Sequence, residues 1–208
     1  MPNIASSPYS SIVANIPVLG HTIKVKCDIW KGLIPLTGLR HPILSGQTSY
    51  EISRKKLLNH SYSTKEEKCL EILMWGYSSG GRGTNISAAL SNLRAIAVAA
   101  SACCGTWSQF YAGFPRGSRI GISTATKIAY FFHCSFSGSR ALILDEQIAK
   151  VINSGRWGSQ LSQVGGSRSQ WATNYPAYLN EMNVLAASIS AKPDQVELFL
   201  YLMGPHFR

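Results

Sequence analysis

Negative charge is what this 208-residue chain has least of: 10 Asp and Glu stand against 20 Lys and Arg, a formal net charge of +10. Only three of the acids are aspartates, Asp28, Asp145 and Asp194. With a pI near 9.6, so lopsided a balance favours a polyanionic partner, of which nucleic acid is the default. Cysteine is sparse too. Cys27, Cys69, Cys103, Cys104 and Cys134 are odd in number, two are adjacent, and none forms a CxxC pair. That pattern excludes a disulfide framework and a zinc site, and predicts reduced thiols, no metal and no cofactor. Long apolar runs are missing, the best window (Ala95 to Cys104) being about ten residues, too short for a bilayer. The first residues lack the basic, apolar, small order of a signal peptide. The expectation is a cytoplasmic protein with no membrane partner. No internal repeat or low-complexity tract is visible.

What is present is enough apolar material for a sizeable interior: the chain is 45% hydrophobic, with a mean hydropathy of +0.02, which suits one domain or two small lobes sharing a core. Residues 1–48 read as an irregular segment with one or two short strands. His21 to Ile29 alternates, with Ile23, Val25, Cys27 and Ile29 on one face, and Pro35, Gly38, Pro42 and Gly46 break the next stretch into turns. From about residue 49 to 208 the pattern is helical. Ser63-Thr64-Lys65-Glu66 reads as a capping box, and Leu70, Leu73, Met74 and Tyr77 recur at helical spacing. Thr84 or Asn85 then caps a helix running through Leu90, Leu93, Ala97 and Val98 to about Cys104. Residues 156–169 read as a long polar loop, and Pro176 and Pro193 as first residues of two closing helices. The fold class is mainly α.

The stretch at about 105–134 carries the chemistry. A short helix around Trp107–Ala112 leads through Gly113-Phe114-Pro115-Arg116-Gly117-Ser118-Arg119 into a helix capped by Ser123 or Thr124, with Ala125, Ile128, Ala129 and Phe132 on its buried face. Such a helix-hairpin-helix offers free backbone N–H groups to a DNA phosphate without reading sequence. Arg116 and Arg119 flank the turn, and Gly113, Gly117 and Gly121 allow close approach. The apolar run Ala141-Leu142-Ile143-Leu144 then ends on Asp145. An aspartate there is a natural helix cap; a lone carboxylate at a basic hairpin is equally suited to acid-assisted chemistry on DNA.

This arrangement resembles the core of the helix-hairpin-helix DNA glycosylase superfamily, in which the hairpin is followed by an apolar run ending in the catalytic aspartate. Lys127 precedes Asp145 by 18 positions, close to that family's separation of catalytic lysine and aspartate. Ile72-Leu73-Met74-Trp75-Gly76-Tyr77 with Gly80-Gly81-Arg82-Gly83, Ala125 to Phe132, Ala141 to Asp145, and Gln195 to Leu200 are similar to a bacterial group with the 8-oxoguanine-glycosylase fold. The resemblance covers roughly residues 65–204 in collinear order. One branch of that group comprises anti-phage glycosylases that excise glucosylated hydroxymethylcytosine from viral DNA.

The resemblance implies an enzyme that flips a modified base out of double-stranded DNA and leaves an abasic site, with phage DNA as the target. Asp145 then stabilises the charge that builds on the sugar. Lys127 stands where bifunctional members carry a Schiff-base lysine if the comparison is anchored on Asp145. If it is anchored on Gly121-Ile122-Ser123, that position is Ala125 and Lys127 only contacts phosphate or solvent. DNA contacts fall to Arg116, Gly117, Arg119, Gly121, Ser123, Thr124 and Arg82. The base pocket falls to Trp75, Tyr77 and Trp107, each of which equally suits core packing. The iron–sulfur branch needs four closely spaced C-terminal cysteines, and the last one here is Cys134. Two other readings stay open: an 8-oxoguanine repair glycosylase, and a non-catalytic DNA-binding protein in which Asp145 is merely a cap. Oligomeric state is not legible.

Overall fold

The computed structural model describes residues 3–6, 8–80, 85–103, 105–158 and 160–206. It is mainly helical, with two small antiparallel sheets. In chain order the elements are α1 (Tyr9–Asn15), β1 (Thr22–Val25), α2 (Cys27–Leu33), β2 (Tyr50–Ser53), α3 (Arg54–Asn59), α4 (Lys65–Gly76), α5 (Asn85–Ser91), α6 (Leu93–Ser101), α7 (Trp107–Ala112), α8 (Ile122–Phe131), β3 (Ser135–Phe136), β4 (Ser139–Arg140), α9 (Glu146–Asn153), α10 (Arg168–Ser188) and α11 (Pro193–Met203). None of the described helices is long and apolar enough to cross a membrane.

Two helices form the centre. Every residue of α4 from Cys69 to Trp75 is buried, and so is every residue of α8 except Ser123. A helix buried all round needs neighbours on every side. Helix α4 packs on α6 and α8, while α11 is covered by α1, α9 and α10. Thr64 caps α4 by accepting from Glu67 N, and the Glu67 carboxylate accepts from Ser63 N. The cap therefore lies one residue beyond the Ser63–Glu66 box expected from the sequence.

Other expectations are corrected. The strand does not run to Ile29. Lys26 N donates to Ser78 O, which pulls the chain out of β1 and into α2, and Ile29 ends up 41% exposed. Its edge partner is β2, with Thr22 opposite Ser53 and Val25 opposite Tyr50, where periodicity predicts helix. Gly80, with φ +80°, lies so close to α2 that a Cβ would fall 2.3 Å from Ile29 Cγ2. The single helix expected through Val98 is two, broken at Asn92. The Asn92 side chain donates to Ala88 O and competes for the backbone, and Val98 is 66% exposed.

Pro176 does not start a helix but lies inside α10. Lacking an N–H, it cannot bond the carbonyl four residues back. Trp107 Nε1 donates to that Ala172 carbonyl instead, at 2.8 Å, so the helix continues at little cost. Nor is the 156–169 stretch merely a polar loop, because Trp157, Leu161 and Val164 are buried in the core. Thiols are not all reduced either: Cys103 and Cys134 are joined by a disulfide, which ties the end of α6 to the residues after α8. Their sequence positions, 31 apart, give no hint of this proximity.

Candidate active site

Helix α8 begins at Ile122 with Gly121 as its N-cap, without a side-chain cap, rather than at the expected Ser123 or Thr124. The approach is a single turn, Arg116–Ser118, after which Arg119 takes the left-handed conformation (φ 53°) usually left to glycine. Ser118 is fully buried, its hydroxyl donating to Pro115 O. The turn thus holds its shape by internal bonds, leaving Arg116 and Arg119 exposed beside the uncapped helix terminus. Arg119 also donates to Asn85 Oδ1 at 3.1 Å.

One turn along α8, Lys127 points into the protein, 8% exposed. Its Nζ donates to Ser123 Oγ at 2.9 Å and lies 3.8 Å from Asp145 Oδ2. A Cβ on Gly76, at the end of α4, would stand 3.2 Å from Lys127 Cδ, so the absent side chain leaves the lysine its channel. Burial lowers the Lys127 pKa below the ordinary lysine value, and the Asp145 charge only partly restores it.

Asp145 divides its two oxygens. Oδ1 accepts from Gln147 N and Ile148 N, each at 3.1 Å, capping α9. Oδ2 faces Lys127. Capping and a charged partner are therefore not alternatives at this residue. Among the described residues the segment before it pairs with no strand, yet side chains bond its backbone. Leu142 N donates to Tyr175 Oη, Tyr178 Oη to Ile143 O, Ile143 N to Glu197 Oε2, and Leu144 N to Thr126 Oγ1. Thr126 is on α8, so one hydroxyl stitches the lysine's helix to the aspartate's strand-like lead. Glu197 in turn pairs with Arg54 at 2.7 Å, both fully buried. Burial raises the Glu197 pKa, and Arg54 opposes that.

The remaining expected site residues scatter. Ser123 serves Lys127. Thr124 is buried with its hydroxyl against Tyr77 Oη at 2.5 Å, so each of these hydroxyls already has a partner inside the protein. Gly117 and Gly121 lie at the surface of the turn. Arg82 lies outside the described residues. Trp107 is packed among Tyr111, Phe136 and Tyr175 with its N–H donating to Ala172 O, away from the Lys127–Asp145 pair. Trp75 differs: 7% exposed, it meets Phe131 edge-on at 5.3 Å, and its Nε1 has no partner. Sequence reasoning missed Arg54, Glu197, Tyr175 and Tyr178; the one available signal was a glutamate inside the apolar run Val196 to Leu200.

The site thus sets a buried lysine against a carboxylate fixed in a helix cap, behind a helix terminus without a side-chain cap and flanked by two exposed arginines. Residues 16–201 match the family model described as “Putative 8-oxoguanine DNA glycosylase OGG-like protein”. The chain belongs to this family, and so to the glycosylase superfamily that its motifs resemble. No curated protein and no solved structure matches it.

Proposed function

We propose that this protein is a DNA glycosylase in which Lys127 and Asp145 excise a modified base. The observation that carries the reading is the 3.8 Å pairing of a buried amine with a carboxylate whose other oxygen is locked in a helix cap. As the glycosidic bond stretches, positive charge grows on the sugar, and Asp145 stabilises it. The neutral Lys127 amine, favoured by burial, attacks C1′. The N–C1′ bond of the base breaks with its electron pair leaving on the base, and a new Nζ–C1′ bond forms. Asp145 accepts the proton that Nζ sheds, and passing it to the ring oxygen opens the sugar to an imine on Lys127. Arg116, Arg119 and the N–H groups at the start of α8 grip the phosphate on the hairpin side.

For the target we propose glucosylated hydroxymethylcytosine in phage DNA, a reading supported by the resemblance of residues 72–77, 80–83, 125–132, 141–145 and 195–200 to the bacterial group of which the anti-phage glycosylases are one branch. Base release is to be measured on unmodified duplex, 8-oxoguanine duplex and glucosylated phage DNA, counting abasic sites, with borohydride trapping to detect the imine. Release from the phage DNA alone, lost in Asp145→Asn, is the expected result. Release from 8-oxoguanine instead makes this a repair enzyme. Tight binding with no release from any DNA leaves the hairpin as a non-catalytic grip. Release without trapping by borohydride, undiminished in Lys127→Met, transfers the attack to water activated by Asp145.

A further inference from the structure

Buried polar atoms without a hydrogen-bond partner are costly, and several in one place point to something missing. Among the described residues, three such atoms belong to one cluster: His21 Nδ1, Trp75 Nε1 and Arg54 Nε. The His21 ring meets Trp75 edge-on at 5.3 Å and Tyr201 at 5.5 Å. The guanidinium of Arg54 lies 5.6 Å from the Trp75 ring centre, and Arg54 N donates to the carbonyl of His21. Trp75 in turn abuts Phe131, one helical turn beyond Lys127 on α8. The cluster therefore borders the Lys127–Asp145 pair. The fields agree with the geometry: burial and then Arg54 hold the His21 imidazole down at about 4, while the Asp145 charge pushes back. His21 is uncharged near neutrality. The groove of about 490 Å³ lined by Gln147, Lys150, Val151 and Gly204 holds no such orphaned group among the described residues.

We infer that His21 and Trp75 form the edge-reading wall of the base pocket, their ring nitrogens hydrogen-bonding the polar edge of an extruded heterocyclic base whose C1′ lies beside the Lys127–Asp145 pair. This rests on the glycosylase reading and extends it. Selection of the base is shared by the segment ahead of β1, which brings His21 to the site, and the end of α4, which brings Trp75. The stacking surface comes from half-buried Tyr201, with Phe131 backing Trp75 from behind. The base the wall admits must present an acceptor to the indole N–H, and an uncharged imidazole complements either a donor or an acceptor beside it. A base without that edge leaves the wall's N–H unpaired and is rejected.

His21→Phe and Trp75→Phe each remove a ring nitrogen while keeping an aromatic ring in the packing. Both variants and the wild type are assayed for base release from duplexes bearing 8-oxoguanine, uracil or hypoxanthine and from glucosylated phage DNA. In parallel they are trapped with borohydride on a duplex with a preformed abasic site, where there is no base to read. The expected result is a fall in base release of roughly 10- to 100-fold, the size of one lost bond to a buried partner, with trapping on abasic DNA within about twofold of wild type. Base release unchanged in both variants overturns the inference, as does an equal loss on both kinds of DNA, which would mean that the rings only support the fold or the lysine. A wild type trapped on abasic DNA yet releasing no base from any duplex also overturns it. A wild type inactive in both assays sinks the glycosylase reading itself.

Discussion

Replacing Asp145 separates its two duties, because each is carried by a different oxygen. In Asp145→Asn the side-chain carbonyl still accepts from Gln147 N and Ile148 N, and Asn is as good an N-cap as Asp. What disappears is the charge facing Lys127 at 3.8 Å and its favourable place at the α9 N-terminus, worth roughly 0.3–1 kcal/mol. Loss of the carboxylate also removes one of the two charges that raise the Lys127 pKa, Glu197 being the other, so that pKa moves further down and less charge is left unpaired. The expected destabilisation is therefore at most about 1 kcal/mol, or roughly 2–4 °C in Tm for a chain of this size. Asp145→Ala loses the cap as well, a further cost of roughly 0.5–2 kcal/mol. Base release should be abolished in both. Thermal unfolding followed by circular dichroism, beside abasic-site counting, reads the two effects independently. An Asn variant that unfolds as early as the Ala variant, or that still releases base, would refute the division of labour between Oδ1 and Oδ2.

Glu197→Gln should cost about 3–5 kcal/mol, because it strands the buried Arg54 charge; urea unfolding gives the value, and a loss under 1 kcal/mol would mean that the Arg54–Glu197 pair is replaceable. Gly76→Ala should leave the melting temperature unchanged or slightly raised while slowing imine trapping several-fold, since the new Cβ crowds Lys127 Cδ at 3.2 Å; unaltered trapping would show that the lysine side chain simply gives way. Acid should unfold the protein in two windows. His21, at about 4 against an ordinary 6.5, is depressed when folded, so its contribution is complete above pH 6.5 and is lost on descent towards 4. Burial would raise Glu71, but the nearby His41 ring and bonds from Lys56, Tyr50 and Tyr62 outweigh it and hold the carboxyl at about 2 against an ordinary 4.5. Its contribution is lost between pH 4.5 and 2. Melting temperatures across pH should lose the upper window in His21→Phe and the lower in Glu71→Gln; unchanged profiles would contradict both assignments.

Local chemistry made much of the helical body readable in advance. The spacing of Leu70, Leu73 and Met74, the short helix at Trp107–Ala112, and the apolar run closing on Asp145 each arise from contacts a few residues long, and α4, α7 and α9 appear where those signals lie. The family membership shown over residues 16–201 was legible for the same reason: its motifs are short and collinear. Errors came where a distant atom settled a local choice. Ser78 O drew Lys26 out of the strand, and Trp107 Nε1 satisfied Ala172 O and let α10 run through Pro176.

Local signals alone specified a basic, mainly helical chain with a hairpin, a lysine inside the helix after it, and an aspartate opening the next helix. Those are matters of composition, period and capping, which act within one or two turns. Tertiary structure decided that Lys127 and Asp145 face each other, that Thr126, Tyr178 and Glu197 hold the aspartate's approach, and that His21 stands over Trp75. His21 and Tyr201 are 180 positions apart in the chain yet nearly in contact. Burying one apolar interior brought such residues together, and no local periodicity records which distant side chains that interior makes neighbours.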